Sequence, residues 1–163
     1  MENENSSLNI LPLFNDENTT SPLLRKVITE PGKNNDEHLM SLETENKILD
    51  GLKDFEKIRL FTDKNLSLSF LASHLGTNTK YLSYVIKKRK KKDFSNYVNH
   101  LRINYIIKKL HADCVWRQYK MSILAEAGGF SSHSKFTTIF KQIAGIPPSI
   151  FIQQIENGER ADS

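Results

Sequence analysis

Cysteine is almost missing from this sequence: Cys114 is the only one in 163 residues. A lone thiol excludes an intramolecular disulfide framework and a zinc site built on several cysteines. Long apolar runs are missing too. Nothing approaches 18 uninterrupted apolar residues, so no stretch reads as a membrane span. The opening residues Met1-Glu2-Asn3-Glu4-Asn5 are acidic and polar, the opposite of a secretory leader, and a cytoplasmic location is expected. Strict apolar–polar alternation is nowhere convincing, which excludes strands and predicts an all-α fold. Catalytic signatures are missing as well: there is no G-x-S-x-G, H-E-x-x-H, Walker-type loop or G-x-G-x-x-G. His74, His100 and His111 have no second ligand at a telling spacing, so no metal site is expected. Acids are few in residues 47–156, with no paired carboxylates and no nucleophile–base pair standing out. The sequence reads as a non-enzyme that needs no cofactor.

What is present is positive charge, unevenly placed. The formal net charge of +4 averages two unlike parts. Residues 1–46 hold three basic and nine acidic residues, a net −6, and residues 47–163 hold twenty and ten, a net +10. Such asymmetry points to a polyanion-binding body with an acidic tail. The tail is rich in Asn, Glu, Ser, Thr and Pro, and Pro12, Pro22 and Pro31 break its short apolar runs. It reads as largely disordered or loosely docked. The densest cationic cluster is Lys87-Lys88-Arg89-Lys90-Lys91-Lys92. Taken alone, that run is a solvated helix end, where cations suit the macrodipole.

Helical spacing begins near Leu42. Ile48, Leu49, Leu52, Phe55, Ile58 and Phe61 predict a first helix reaching Phe61. Ser67 suits an N-cap for a short helix over Leu68 to His74, with Gly76 ending it. Asn78 or Thr79 caps a third helix. Asp93 caps a long fourth one, whose apolar face is Phe94, Tyr97, Val98, Leu101, Tyr105, Ile106 and Leu110. Ala112 to Lys120 reads as a connector. Further helices are expected from Ser122 to Gly128, from Ser132 to Ile143, and from Ser149 to Ile155. The total is about seven.

Two segments read alike. Leu71-Ala72 with Gly76, and Leu124-Ala125 with Gly129, each lead into a polar cap and an amphipathic helix ending apolar-Lys. A small residue lets two helices approach, glycine makes the sharp turn, and the second helix keeps one face exposed. These are the demands of a helix-turn-helix. The stretch LAEAGGFSSHSKFTTIFKQIAGIPPS and its partner LASHLGTNTKYLSYVIKK resemble the DNA-binding domain of the AraC/XylS family of bacterial transcription regulators. The joining helix FSNYVNHLRINYIIKKL looks like that of members from the Bacteroidetes lineage, where such a domain often follows a sensor and a membrane helix. The chain therefore reads as a fragment or as a stand-alone regulator. Many members have Gly where Lys91 stands, which either extends the first reading helix or strains its end.

The resemblance covers about residues 47–156. It implies two helix-turn-helix subdomains, about 66–90 and 121–144, joined by a long central helix, about 94–111. Residues 157–163 are expected to be a disordered end. The implied partner is double-stranded DNA, with RNA polymerase as a second, no membrane insertion of this chain, and the oligomeric state open. Position by position, the resemblance places base contacts on Lys80, Ser83, Tyr84, His133, Lys135 and Thr138. It places phosphate contacts on Asn78, Thr79, Lys87, Lys88, Arg89, Ser131, Ser132, Thr137 and Lys141. The function implied is sequence-specific control of transcription, with two recognition helices in successive major grooves. The alternative is a basic helical module that binds nucleic acid, RNA included, without sequence preference.

Overall fold

A computed structural model describes residues 40–161, with side chains to Gly158. Residues 1–39, most of the expected acidic tail, lie outside the described residues. Eight α-helices and no strand occur among those described: α1 (Leu42–Lys57), α2 (Leu68–His74), α3 (Thr79–Lys90), α4 (Phe94–Ala112), α5 (Cys114–Arg117), α6 (Met121–Ala127), α7 (His133–Ala144) and α8 (Pro148–Ala161). A single 3-10 turn, Leu60–Thr62, follows α1. The all-α expectation holds, with one helix more than about seven. The extra one is α5, a single turn in the connector. The Asp113 side chain starts it by accepting from the Val115 N–H at 2.9 Å.

The start of α1 near Leu42 matches the sequence reading, and two other helix ends differ from it. The Ser41 hydroxyl caps α1 by accepting from the Thr44 N–H at 3.1 Å, so residues 42–46 of the expected tail are helix. At its other end α1 stops at Lys57, short of Phe61. Arg59 takes a left-handed backbone, φ 59°. The chain reverses there, leaves Ile58 61% exposed and drops Phe61 into the core. No glycine or proline marks this break, so periodicity alone ran through it. α8 continues to Ala161, into the expected disordered end.

Two cores flank α4. The first joins Ile48, Leu52 and Phe55 of α1, Phe61, Leu71 and Ala72 of α2, Leu82, Val85 and Ile86 of α3, and Tyr97 and Val98. The second joins Ile103, Ile106 and Leu110 of α4 to Leu124, Ala125, Phe130, Phe136, Phe140 and Ile152. Each fully buried Leu, Ile or Phe contributes roughly 1.5–3 kcal/mol relative to an exposed one. The aromatic chain Phe130–Phe136–Phe140–Phe151 packs at centroid spacings of 5.4, 5.6 and 5.4 Å.

Between the cores lies Arg102, 7% exposed. Its Nε donates to the Phe61 carbonyl and its Nη2 to the Asp63 carbonyl, both at 2.7 Å. Its guanidinium also lies 5.6 Å from the centroid of the Phe130 ring. One buried cation thus joins the loop of the first half to the turn of the second. No helix among the described residues is long and apolar enough to cross a membrane.

Candidate nucleic-acid interface

Each half contains a short helix, a tight turn and a longer helix. The turns repeat bond for bond. Leu75, Gly76 and Thr77 donate to the carbonyls of Leu71, Ser73 and Ala72, as Gly128, Gly129 and Phe130 do to those of Leu124, Glu126 and Ala125. Gly76 (φ 63°) and Gly129 (φ 78°) hold the left-handed position that lets the carbonyl-satisfying turn close. The longer helices are capped by side chains. Asn78 Oδ1 accepts from the Tyr81 N–H at 2.8 Å, and Ser132 Oγ from the Lys135 N–H at 3.2 Å.

The turns differ in length, however. The cap follows Gly76 by two residues and Gly129 by three. Helix α7 is therefore offset by 54 positions from α3, while the short helices are offset by 53. Lys80 then corresponds to Ser134, Ser83 to Thr137, Tyr84 to Thr138, and Lys87 to Lys141. Lys91 (φ 55°) matches Gly145 (φ 83°), both left-handed C-caps. Of the two outcomes open for Lys91, the helix ends there; a lysine holds the strained position.

The fold is similar to that of several solved structures. One is a transcriptional regulator from Chromobacterium violaceum titled as an AraC-type DNA-binding domain-containing protein: TM-score 0.56, 20% identity, covering 71% of this chain and 96% of that one. Another is the C-terminal domain of AraT, a response regulator from Geobacillus stearothermophilus: TM-score 0.58, 21% identity, covering 66% of this chain and 84% of that one. The uncharacterized transcriptional regulatory protein YesN of Bacillus subtilis (strain 168) is 34% identical over 100 residues, 58% of this chain. This chain spans about a quarter of that relative (26%). A family model described as a helix-turn-helix domain matches residues 71–154, just over half of the chain.

The chain belongs to the AraC-type helix-turn-helix family. DNA binding is the character of that family of domains. In the AraC-type domain seen here, α3 and α7 are the second helices of the two units.

On α3, Thr79, Lys80 and Lys87 are exposed and Ser83 is half-buried. Tyr84 is half-buried against the first core, with Lys88 Nζ 5.4 Å from its ring centroid. On α7, His133, Lys135, Thr138 and Lys141 are exposed, as is Ser131 before it. Thr137 is half-buried, and its hydroxyl donates to the His133 carbonyl at 2.9 Å, which uses its one donor inside the helix. Asn78 and Ser132 are the caps. Their acceptor atoms are engaged, which leaves the Asn78 amide N–H groups and the Ser132 hydroxyl hydrogen to meet an anion.

Lys88 and Arg89, expected at phosphate, both reach Glu45. Lys88 Nζ donates to Glu45 Oε2 at 3.0 Å and Arg89 Nε to Glu45 Oε1 at 2.6 Å. Glu45 is 3% exposed. The Lys88 hydrogen bond, aided by Arg89, holds its carboxyl below the usual range against the opposing effect of burial. Lys90 Nζ meets Glu56 Oε1 at 2.8 Å, and the Tyr97 hydroxyl donates to the same oxygen at 2.6 Å. Burial raises the Glu56 carboxyl, but these two bonds outweigh it and leave it lowered. Tyr97, in turn, is pushed up by burial and by Glu56.

Two residues escape the sequence reading. Ser134, exposed, occupies the place of Lys80; only the one-residue longer turn reveals it. Lys64, from the loop of the first half, lines a shallow groove of about 240 Å³ with Ser131, Ser132 and His133. The cap Ser132 and a cation from elsewhere in the chain thus share one edge. Among the described residues, no three His, Cys, Asp or Glu side chains gather to hold a metal.

Proposed function

We propose that this chain controls transcription by seating α3 and α7 in two successive major grooves on one face of double-stranded DNA. The grooves lie about 10 base pairs apart. One observation carries this reading: two similarly built units are held to each other by the shared α4 and by Arg102, each with one face of its second helix exposed. Lys80, Ser83, Tyr84, His133, Lys135 and Thr138 supply base contacts, joined by Ser134. Lysine donates to guanine O6 or N7, and the hydroxyls and imidazole bond to base edges or phosphate. Asn78, Thr79, Ser131, Ser132, Lys87 and Lys141 meet phosphate and set the register. The reading requires no catalytic group or cofactor. A cytoplasmic location and a contact with RNA polymerase follow from it.

In-vitro selection from random duplexes tests the proposal. The selected site should bind at least about 1,000-fold tighter than random duplex at physiological salt. Equal affinity for both overturns sequence reading and leaves the non-specific alternative.

A further inference from the structure

The sequence places six cations in a row at the end of α3, and the structure leaves only part of that charge for a ligand. Lys88 and Arg89 grip the two oxygens of Glu45 on α1, and Lys90 grips Glu56. The two glutamates are eleven residues apart, about three helical turns, so they lie on one face of α1. Lys87, Lys91 and Lys92 make no ion pair with a described residue.

We propose that Glu45 is a specificity-determining residue: its one negative charge offsets one of the two positive charges of Lys88 and Arg89, and its two oxygens hold both side chains within the fold, away from phosphate. This rests on the DNA-binding reading above. The physical case is a competition. A phosphate that drew Lys88 or Arg89 away from Glu45 would take one donor from a carboxylate that these two side chains shield from water. The move would cost a charge-assisted hydrogen bond at Glu45, and a screened, wet interface returns little in exchange. Non-specific affinity rises with every cation that neutralises a phosphate, whatever the sequence. Holding these two side chains back, with one of their charges offset, therefore lowers binding to random duplex and leaves the base-reading faces of α3 and α7 untouched. The same pairs fix the last turn of α3, which has a lysine in place of glycine at its left-handed C-cap.

The salt dependence of binding to random duplex reads this directly, between about 50 and 200 mM salt, with a slope of about −0.9 per neutralised phosphate. Glu45→Gln removes the charge and keeps the shape. Its slope should steepen by about 0.9 to 1.8, its random-duplex affinity should rise, and its preference for a selected site should narrow. Adding Lys88→Gln and Arg89→Gln to that variant should return the slope to that of the unaltered protein. Lys87→Ala alone should flatten the unaltered slope by about 0.9. Circular dichroism confirms that each variant is folded. An unchanged slope in folded Glu45→Gln overturns the proposal. So does a loss of slope when Lys88→Gln and Arg89→Gln are made with Glu45 intact. Should Glu45→Gln not fold, that second pair decides alone. Because the slope is read on random duplex, it stands apart from whether a preferred site exists.

Discussion

Arg102 shows how one side chain can hold two halves together. Its planar fork reaches two carbonyls, those of Phe61 and Asp63, while its guanidinium lies over the Phe130 ring. Arg102→Ala should cost about 2–3 kcal/mol, because two charge-assisted hydrogen bonds are lost and two carbonyls are left poorly satisfied. Arg102→Lys should rescue little, since an ammonium lacks the rigid fork. Denaturant midpoints of both variants check this. Glu45 gives a pH signature with a definite sign. Its folded carboxyl sits below the ordinary 4.5, so its contribution is present above that value and fades as pH falls through the folded one. The stability gap between the unaltered protein and Glu45→Gln should be constant above about pH 5.5 and close in more acid solution. A gap that widens on acidification would reverse the assignment. Lys80 is exposed at the front of α3. Lys80→Ala should cost about 1–3 kcal/mol on the preferred site and relax one base position. An equal loss on every sequence would move Lys80 to phosphate.

Among the elements, the two turns are alike in hydrogen bonding and unlike in surroundings. A Cβ at Gly76 would meet nothing within 4 Å, whereas one at Gly129 would press on the Thr62 backbone, 2.6 Å from its carbonyl carbon. Gly76→Ala should therefore cost only the left-handed penalty, about 1–2 kcal/mol. Gly129→Ala should cost clearly more, because backbone must also move. Thermal unfolding of the pair measures the difference, and equal losses would show that the Thr62 contact yields freely. Ser67 and Asp93 were legible as caps, Asn78 was one of two candidates, and Ser132 was read only as a helix start; all four accept from a first-turn N–H, as local chemistry demands. The end of α1 was not legible. Arg59 adopts its left-handed backbone for tertiary reasons, with its guanidinium 5.5 Å from the Tyr105 ring centroid, and no local signal announces it. The apolar face of α4 was only half legible. Leu101 and Tyr105 lie partly exposed, while Arg102 and Ile103 are buried, because α4 serves two cores on different sides.

At the scale of the whole molecule, the first half's loop, Arg102 and the Gly129 turn make the angle between α3 and α7 a property of the fold. A rigid pair of reading helices tolerates one groove spacing. Inserting about five base pairs, half a helical turn, between the two half-sites should reduce affinity to that of a single unit, and about ten should not restore it. Full restoration by ten would mean that the two units move independently. Gel-shift titrations of the three duplexes decide between these outcomes.

The sequence by itself determined the all-α class, the duplicated unit, its caps and its glycines, since these follow from interactions within a few residues. It also determined the excess of positive charge. Only the tertiary structure decided which of those charges face outward. Ion pairs such as Glu45 with Lys88 and Arg89 join residues more than forty positions apart, and their partners are chosen by how α1 crosses α3. The register of α7 against α3 was likewise a tertiary matter, because one added turn residue shifts every outward position by about a hundred degrees.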